Sequence, residues 1–337
     1  MRHFSLPLAV FATLVSPLIA CEGPHAKTCP NDPDHSIVVD QSGAYPGSYK
    51  TVKEGVANLS QMKSNLFIYP GEYLEQVVIP SGLTNVTVQG FTCDTTTYAL
   101  NTVTITHAKA QRDLPANETN NRNFQTSTLG IKADQFKMYN INVANTAGPI
   151  RVNGQGVAVF ASGKDHGFYA CSFTGYQDTF AASNGRILIV SSHISGTVDF
   201  IFGQKGLMWA EKCDIEVLGD GWITANGNNN WTRESEFVFN RATVYGIGRT
   251  FLGRPWRPYS RCIWQNSFLG EVVDPQGWSK WNDDSVDNVF YREFNNQGLG
   301  ATMDQRVSFS GLLGCAMTIE QLLGNVVGDF IYDSRFM

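Results

Sequence analysis

The chain has 337 residues, of which 42% are hydrophobic and 16% are charged, and 25 Lys and Arg against 30 Asp and Glu give a formal net charge of −5. This much apolar sequence can bury a large core, which excludes an intrinsically disordered protein. The acidic balance, with no run of Lys or Arg, argues against nucleic acid and against a membrane surface as partners.

The first twenty residues have the pattern of a secretory signal. A short basic start precedes an apolar run from Phe4 to Ala20, which is too short to span a bilayer. Pro7 and Pro17 disfavour the alternative of a buried N-terminal helix. We therefore expect a signal peptide over residues 1–20, a single exported domain over residues 21–337, and a secreted, extracellular protein.

Seven cysteines are compatible with export. Cys21 and Cys29 are close enough in sequence to clip the N-terminal segment, and an odd number leaves at least one cysteine without a partner in the chain. The others are equally well explained as small buried apolar residues. No Cys or His cluster has the spacing of a zinc site, so we expect no metal and no cofactor.

Four Asn-X-Ser/Thr triplets are candidate acceptors of N-linked glycans, which would make the exported chain a glycoprotein. They begin at Asn58, Asn85, Asn117 and Asn230.

Between about Ile37 and Phe268 the sequence repeats a short alternating strand that ends in Gly, Asn or Asp. Aligning the repeats places one apolar residue of each in a column, with steps of 55, 30, 21, 21, 29 and 24 residues. The column consists of Val88, Val143, Phe173, Ile194, Ile215, Val244 and Phe268. A period of about 21–24 residues is typical of a solenoid, whose stacked coils share one core.

These repeats predict an all-β fold, a parallel β-helix. The competing interpretation is an antiparallel sandwich, which would need more hairpin turns such as Asn-Gly than this sequence contains. The apolar spacing of residues 49–64 suits one short helix that caps the N-terminal coil. The last forty residues, with Leu312, Leu313, Ile319 and Leu322, are expected to pack helically against the other end.

The period also brings polar residues together. Gln155, Gln177 and Asp199 are each 22 residues apart, and Asp178 follows Gln177. Positions one coil apart lie roughly 4.8 Å from each other, so these side chains should form a ladder. Two neighbouring carboxyl groups have pKa values that are pushed apart, which suits a nucleophile beside a general acid, with amides bonding an oxyanion.

A purely structural role for this ladder has to be weighed. Asp can terminate strands or cap turns, and amide ladders are common in solenoids. The apolar neighbours of Asp199, which include Val198 and Phe200, favour a functional role, because a carboxylate on an apolar surface is costly unless it is paired.

Five blocks of residues, in this order, resemble the signature of pectin methylesterases. They are Gly71-Glu-Tyr-Leu-Glu75, Gln155-Gly-Val-Ala-Val159, Gly175-Tyr-Gln-Asp-Thr179, Asp199-Phe-Ile-Phe-Gly203 and Leu252-Gly-Arg-Pro-Trp256. The resemblance runs from about Ile37 to Gly300 and includes Gly277-Trp-Ser-Lys-Trp281 and Tyr291-Arg-Glu-Phe294. Gly156 and Phe180 depart from the residues that are common in the family, Ala and Leu, and neither is a polar position.

The resemblance implies a right-handed parallel β-helix that hydrolyses the methyl esters of galacturonate in pectin, of the secreted microbial type without a pro-domain. Asp199 would be the nucleophile and Asp178 the acid that protonates methanol and then the base that activates water. Gln155 and Gln177 would stabilise the oxyanion, and Arg254 would hold Asp199 ionised.

The family also implies methyl-esterified polygalacturonate as the partner, and we expect a monomer. Trp256 would contact a sugar ring, and Phe202, Tyr176 and Tyr259 could line the cleft. Trp278 and Trp281 are nearly as well explained as packing residues, and Tyr73 and Glu75 as structural or cleft-rim residues. Arg249, Arg257 and Arg261 near Arg254 could bind carboxylates of de-esterified sugars.

Alternatives remain open on the sequence alone. A calcium-dependent lyase would need several acidic ligands and a base, and an inverting glycosidase would need two carboxyl groups further apart than adjacent coils allow. A carbohydrate-binding solenoid with a structural ladder would have no activity.

Overall fold

The computed structural model describes residues 21–152 and 154–337, so the expected signal segment lies outside the described residues. Within them the chain forms 24 strands. The first twelve are β1 (Ser36–Val39), β2 (Asn65–Ile68), β3 (Gly71–Leu74), β4 (Val77–Ile79), β5 (Thr84–Gly90), β6 (Val103–His107), β7 (Leu129–Ile131), β8 (Asp134–Tyr139), β9 (Asn142–Asn145), β10 (Val159–Ala161), β11 (His166–Tyr169) and β12 (Ser172–Thr174). The other twelve are β13 (Phe180–Ala182), β14 (Asn184–Val190), β15 (His193–Gly203), β16 (Lys205–Glu211), β17 (Asp214–Asn226), β18 (Glu236–Asn240), β19 (Thr243–Ile247), β20 (Thr250–Pro255), β21 (Arg261–Gln265), β22 (Phe268–Leu269), β23 (Phe290–Phe294) and β24 (Ser310–Leu312).

Helices are few and short in the described residues. They are α1 (Val52–Ala57), α2 (Arg122–Thr126) and α3 (Ile319–Leu323), with 3₁₀ turns at Gln111–Asp113 and Leu299–Ala301. No helix among the described residues is long and apolar enough to cross a membrane.

The strands build a right-handed parallel β-helix. One sheet of eleven strands runs β1-β2-β5-β8-β11-β14-β16-β18-β21-β23-β24, and a second sheet has thirteen strands. Every pairing between these strands is parallel, and sheet neighbours come from successive coils, as crossover connections of one hand require. The prediction of a solenoid is therefore confirmed, and the antiparallel sandwich is excluded.

One corner of the solenoid has a residue with a left-handed backbone in seven successive coils, directly after β8, β11, β14, β16, β18, β21 and β23. The φ angles there lie between 48° and 57°, at Asn140, Ala170, Ser191, Lys212, Arg241, Asn266 and Asn295. Left-handed backbone is costly for residues other than Gly, Asn and Asp, so at Ala170, Ser191, Lys212 and Arg241 the stacked coils impose it. The 21-residue steps between Ala170, Ser191 and Lys212 show how regular the coils are at the site.

The predicted interior column is largely confirmed. Val143, Phe173, Ile194, Ile215 and Val244 pair in register and are fully buried. The predictions for Val88 and Phe268, the two ends of the column, are wrong. Val88 lies in the eleven-stranded sheet beside Leu66 and Met138, because the 55-residue step spans a change of sheet. Phe268 is 50% exposed, and Leu269 is the residue that pairs with Val244. Two adjacent apolar residues leave the register ambiguous by one position, which reverses the face of the strand.

Helix α1 lies within the predicted segment and packs on the N-terminal strands. Thr51 caps it, and Glu75 accepts hydrogen bonds from the backbone of Val52 and Lys53 at 2.8 and 2.9 Å. Tyr73 is buried and donates to the carbonyl of Tyr69. The first signature block is therefore structural, not part of the cleft.

The C-terminal segment does not wrap helically around the far end. After the single turn of α3, Val326, Ile331 and Phe336 pack against Tyr139 and Tyr169 on the outer face of the eleven-stranded sheet. The C-terminal segment covers apolar side chains on that outer face and so lies along the side of the solenoid. The helical spacing of its apolar residues could not indicate this location.

The expected Cys21–Cys29 clip is wrong. Cys21 forms a disulfide with Cys93, 72 residues away, and Cys29 is free and exposed. Cys171, Cys213 and Cys262 are buried thiols, and Cys315 is an exposed one. The pairing depends on which coil lies next to the N-terminus, and sequence separation carries no information about that.

Candidate active site

Two stacked bends place the carboxyl groups of the ladder. Asp178 and Asp199 have φ of 65° and 50°, and the backbone N–H of Asp178 donates to the carbonyl of Val198 at 3.1 Å. The 21-residue step puts Asp178 beside Asp199 on the next coil. Both side chains are nearly buried, at 7% and 5% exposure. Asp adopts left-handed backbone more readily than most residues, so these two bends form at low cost.

Gln177 directly precedes Asp178 on the same coil, and Gln155 lies one coil earlier. Gly156 donates its N–H to the carbonyl of Gln177 at 3.0 Å, which sets Gln155 against Gln177. The side-chain oxygen Oε1 of Gln155 is buried and has no hydrogen-bond partner among the described residues. An unpaired buried amide oxygen is costly in a protein without a ligand, so this oxygen is free to accept a hydrogen bond from one.

Arg254 reaches Asp199 from strand β20. Its Nε and NH2 groups donate to Oδ1 and Oδ2 of Asp199 at 2.9 and 2.7 Å, a bidentate fork. Strand β17 lies between β15, which carries Asp199, and β20, and its residue in register with Arg254 is the small Ala225. A larger side chain there would stand in the path of the guanidinium.

Two indoles hold the guanidinium from both faces. Cζ of Arg254 lies 3.6 Å from the ring centroid of Trp222 and 4.1 Å from that of Trp281. The indole N–H of Trp222 donates to Oγ of Ser279 at 2.5 Å, which fixes the ring. This cation–π sandwich leaves Arg254 one orientation, with its fork towards Asp199.

The surroundings separate the two carboxyl groups electrostatically. Burial and the neighbouring charge of Asp199 raise the pKa of Asp178 well above its ordinary value, and Asn123 and Arg254 only partly oppose this. Burial also raises the pKa of Asp199, but the hydrogen bonds and charge of Arg254 oppose that rise. Asp199 therefore ionises first, and Asp178 keeps its proton over a wider range of pH.

The two carboxyl groups, the two glutamines and Arg254 open into one cavity of about 400 Å³. It is lined by Gln111, Asn123, Gln155, Gln177, Asp178, Asp199, Phe202, Ala225, Arg254, Trp256 and Trp281. Phe202 and Trp256 form its aromatic wall, with ring centroids 6.2 Å apart. The structure does not place Tyr176 or Tyr259 among the lining residues.

Several lining residues escaped the sequence analysis. Asn123 donates to Oδ2 of Asp178 at 3.3 Å, and Gln111 lies beside Asn123. Both come from the long insertion between β6 and β7, and such a loop in a compact repeat is a signal of function that could have been used. Trp222 was also missed; it contacts Arg254 without lining the cavity, and its position inside a strand carried no comparable signal.

Comparison with known proteins agrees with this architecture. The family model described as Pectinesterase matches residues 36–334. A pectinesterase of Aspergillus niger is 38% identical over 314 residues, covering 89% of this chain and 91% of the relative, and one of Aspergillus aculeatus is 36% identical over 319 residues, covering 90% and 93%. The crystal structure of the deglycosylated pectin methylesterase from Aspergillus niger superposes with a TM-score of 0.81 at 31% identity, covering 92% of this chain and all of that one. The chain belongs to the pectinesterase family and is a carboxylic ester hydrolase that removes methyl esters from pectin.

Proposed function

We propose that Asp199 is the nucleophile and Asp178 the proton donor and acceptor of this hydrolysis. The observation that carries the proposal is the difference between the surroundings of the two carboxyl groups. Arg254 donates its two hydrogen bonds to Asp199 alone, while burial beside the charge of Asp199 keeps Asp178 protonated. A nucleophile has to be an anion and a general acid has to hold a proton, so the two environments match the two roles.

In the first half of the reaction, a carboxylate oxygen of Asp199 attacks the ester carbonyl carbon. The side-chain amides of Gln155 and Gln177 donate to the oxyanion that forms. When the tetrahedral intermediate collapses, the bond to the methoxy oxygen breaks and Asp178 gives that oxygen its proton. Methanol leaves, and the galacturonate remains joined to Asp199 as an acyl-enzyme.

In the second half, Asp178 is a carboxylate and takes a proton from water. The hydroxide adds to the acyl carbon, the bond to Asp199 breaks, and the free galacturonate carboxyl loses its proton to solvent. Asp178 is again protonated and Asp199 is again an anion held by Arg254, so the cycle closes with one water consumed.

We further propose that methyl-esterified polygalacturonate lies across the cavity, with a sugar ring against Trp256 and Phe202. An aromatic wall opposite charged and amide groups suits a sugar that has one apolar face and a polar edge. Action outside the cell is supported by the basic and apolar start of the sequence and by the Cys21–Cys93 disulfide, since disulfides persist in oxidising compartments.

The test is the product pattern of the purified chain on methyl-esterified polygalacturonate. We expect methanol with no change in polymer length and no unsaturated uronide, and a loss of methanol release in Asp178→Asn. Shortened chains would indicate a glycosidase, unsaturated ends would indicate a lyase, and undiminished methanol release by Asp178→Asn would remove that residue from its role.

A further inference from the structure

The long insertion between β6 and β7 is held against the coils at both of its ends. Nδ2 of Asn145, the last residue of β9, donates to the carbonyls of Lys109 and Thr126 at 2.9 and 3.0 Å. The backbone N–H of Gln111 donates to the carbonyl of Gln155 at 3.0 Å. The insertion is therefore fixed to the coil that carries one of the two glutamines of the site.

Three polar side chains of this insertion form a chain of hydrogen bonds that ends at Asp178. Nε of Arg122 donates to Oε1 of Gln111 at 3.2 Å. Nε2 of Gln111 donates to Oδ1 of Asn123, and Nδ2 of Asn123 donates to Oδ2 of Asp178 at 3.3 Å. Among the described residues, Asn123 is the one side chain that donates a hydrogen bond to Asp178.

The direction of this chain follows from its first member. A guanidinium donates hydrogen bonds and accepts none, so Gln111 has to present its side-chain oxygen to Arg122. The amide nitrogen of Gln111 then faces the oxygen of Asn123, and the amide nitrogen of Asn123 is left to face Asp178. Arg122 is itself fixed, because it also donates to the carbonyls of Glu118 and Gln111 at 3.0 and 2.7 Å.

A donor that faces Oδ2 of Asp178 decides which oxygen of the carboxyl group carries the proton. The carbonyl oxygen of a carboxylic acid accepts hydrogen bonds better than its hydroxyl oxygen, so the proton belongs on Oδ1 while Asn123 donates to Oδ2. Oδ1 has no hydrogen-bond partner among the described residues, and Asp178 lines the catalytic cavity. The proton is therefore on the oxygen that is free to meet a leaving group.

We propose that Asn123 is a positioning residue for Asp178, and that Gln111 and Arg122 orient it. The inference rests on the proposed function and concerns one step of it, in which the bond between the acyl carbon and the methoxy oxygen breaks. In that step the proton moves from Oδ1 of Asp178 to the methoxy oxygen. Asn123 holds the proton on Oδ1 before the transfer and donates to the carboxylate that remains after it.

The hydrogen bond from Asn123 is stronger after the proton has moved than before. A hydrogen bond to an ionised group is roughly twice as strong as one to a neutral group, so Asn123 favours the carboxylate that proton transfer leaves behind. Arg254 does not supply this stabilisation by hydrogen bonds, since both members of its fork go to Asp199. Without Asn123, a nearly buried Asp178 carboxylate has no side-chain donor among the described residues.

The first variant is Asn123→Leu, which keeps the approximate size of the side chain and removes its donor. We expect kcat for methanol release to fall roughly ten- to hundredfold, the range for a hydrogen bond to a charged group, with KM nearly unchanged. The matched control is Asn120→Leu, at an exposed position of the same insertion that does not line the cavity.

The pH profile distinguishes this role from a merely structural one. The hydrogen bond from Asn123 lowers the pKa of Asp178, so its loss raises that pKa and keeps Asp178 protonated to higher pH. The alkaline limb of kcat/KM should therefore move to higher pH in Asn123→Leu. The acid limb, which reports the ionisation of Asp199, should stay in place.

The second variant, Gln111→Met, acts on Asp178 only through Asn123. Methionine has nearly the length of glutamine but cannot donate to Oδ1 of Asn123, so the amide of Asn123 is free to turn. We expect the alkaline limb to move in the same direction by a smaller amount, and kcat to fall roughly two- to tenfold, as for one neutral hydrogen bond. If Asn123→Leu does not fold, the alkaline limb of Gln111→Met decides: a move to higher pH supports the inference and an unchanged limb overturns it.

An Asn123→Leu enzyme with the kcat and the pH profile of the wild type would overturn the inference. A raised KM with an unchanged alkaline limb would also overturn it, since Asn123 would then be a sugar contact. Both results leave the proposed function intact as long as Asp178→Asn loses methanol release. An Asp178→Asn enzyme that keeps methanol release would instead contradict the proposed function itself.

Discussion

Arg254 donates two parallel hydrogen bonds to Asp199 across 55 residues of sequence, with N–O distances of 2.9 and 2.7 Å. The fork fixes both the charge and the orientation of the carboxylate, and no other described cation pairs with Asp199. Much of the proposed chemistry follows from this contact, since it distinguishes the nucleophile from the acid.

Arg254→Lys should lower kcat for methanol release by roughly a hundredfold, the order found when a directed donor is lost from an active site. A single ammonium cannot donate to both carboxylate oxygens or fill the space between two indoles. The control is Arg249→Lys, at an exposed arginine outside the catalytic cavity that pairs with the buried Asp274. Near-normal kcat in Arg254→Lys would show that the fork is not needed.

Trp222→Ala should lower kcat about five- to thirtyfold and leave KM nearly unchanged, because a desolvated cation–π contact contributes about 1–2 kcal/mol. The acid limb of the pH profile should move to higher pH, since a less ordered Arg254 lowers the pKa of Asp199 less. Trp222→Phe, which keeps a ring face, should restore part of the rate.

The matched control for Trp222 is Trp231→Ala, because Trp231 is 82% exposed and does not line the catalytic cavity. A Trp222→Ala enzyme whose KM rises while its pH profile stays fixed would make Trp222 a substrate contact, not a residue that positions Arg254.

The dependence of kcat/KM on pH should be bell-shaped. Activity requires ionised Asp199 and protonated Asp178, so it rises as Asp199 loses its proton and falls as Asp178 does. Since burial raises the pKa of both groups, both limbs should lie above the ordinary aspartate range. A profile that keeps rising into alkaline pH would mean that Asp178 does not act as an acid.

Asp178→Asn should stabilise the fold as it abolishes turnover. The pKa of Asp178 is higher in the folded than in the unfolded chain, so its contribution to stability is present below the unfolded pKa and is lost as pH rises through the folded value. The gain in Tm, about 2–4 °C, should therefore appear on the alkaline side and vanish in acid. Asp283→Asn, at an exposed site, is the control; a gain that is independent of pH would count against the raised pKa.

Cys93→Ser should destabilise the chain by about 4 kcal/mol in chemical denaturation, since the lost disulfide closes a loop of 72 residues. Cys315→Ser removes an exposed free thiol and should have no effect. Mass mapping of the wild type should find a Cys21–Cys93 peptide, whereas a Cys21–Cys29 peptide would restore the pairing expected from sequence.

The sequence predicts well whatever depends on the period of the coils. Val143 to Val244 stack because one apolar position recurs once in each coil, and the steps of 21 to 22 residues in the central coils bring Gln155, Gln177 and the two Asp residues together. Prediction fails where the spacing is irregular, as at Phe268, since two adjacent apolar residues permit either register.

Side-chain contacts that do not follow the period of the coils escape this reasoning. The disulfide of Cys21 and the indole of Trp222 against Arg254 both depend on which strands become neighbours and on side-chain rotamers. Neither leaves a trace in local periodicity. The role of Arg254 was predicted only from the resemblance of the sequence to the family, and the structure shows its two hydrogen bonds to Asp199.

The most direct test of the account is methanol release by Asp199→Asn, a substitution that keeps the size of the side chain and removes its charge. With a circular dichroism spectrum equal to that of the wild type, the variant should lose at least roughly a thousandfold in kcat, because an amide cannot replace the carboxylate as nucleophile. A folded Asp199→Asn enzyme that releases methanol at a rate near that of the wild type would contradict the mechanism.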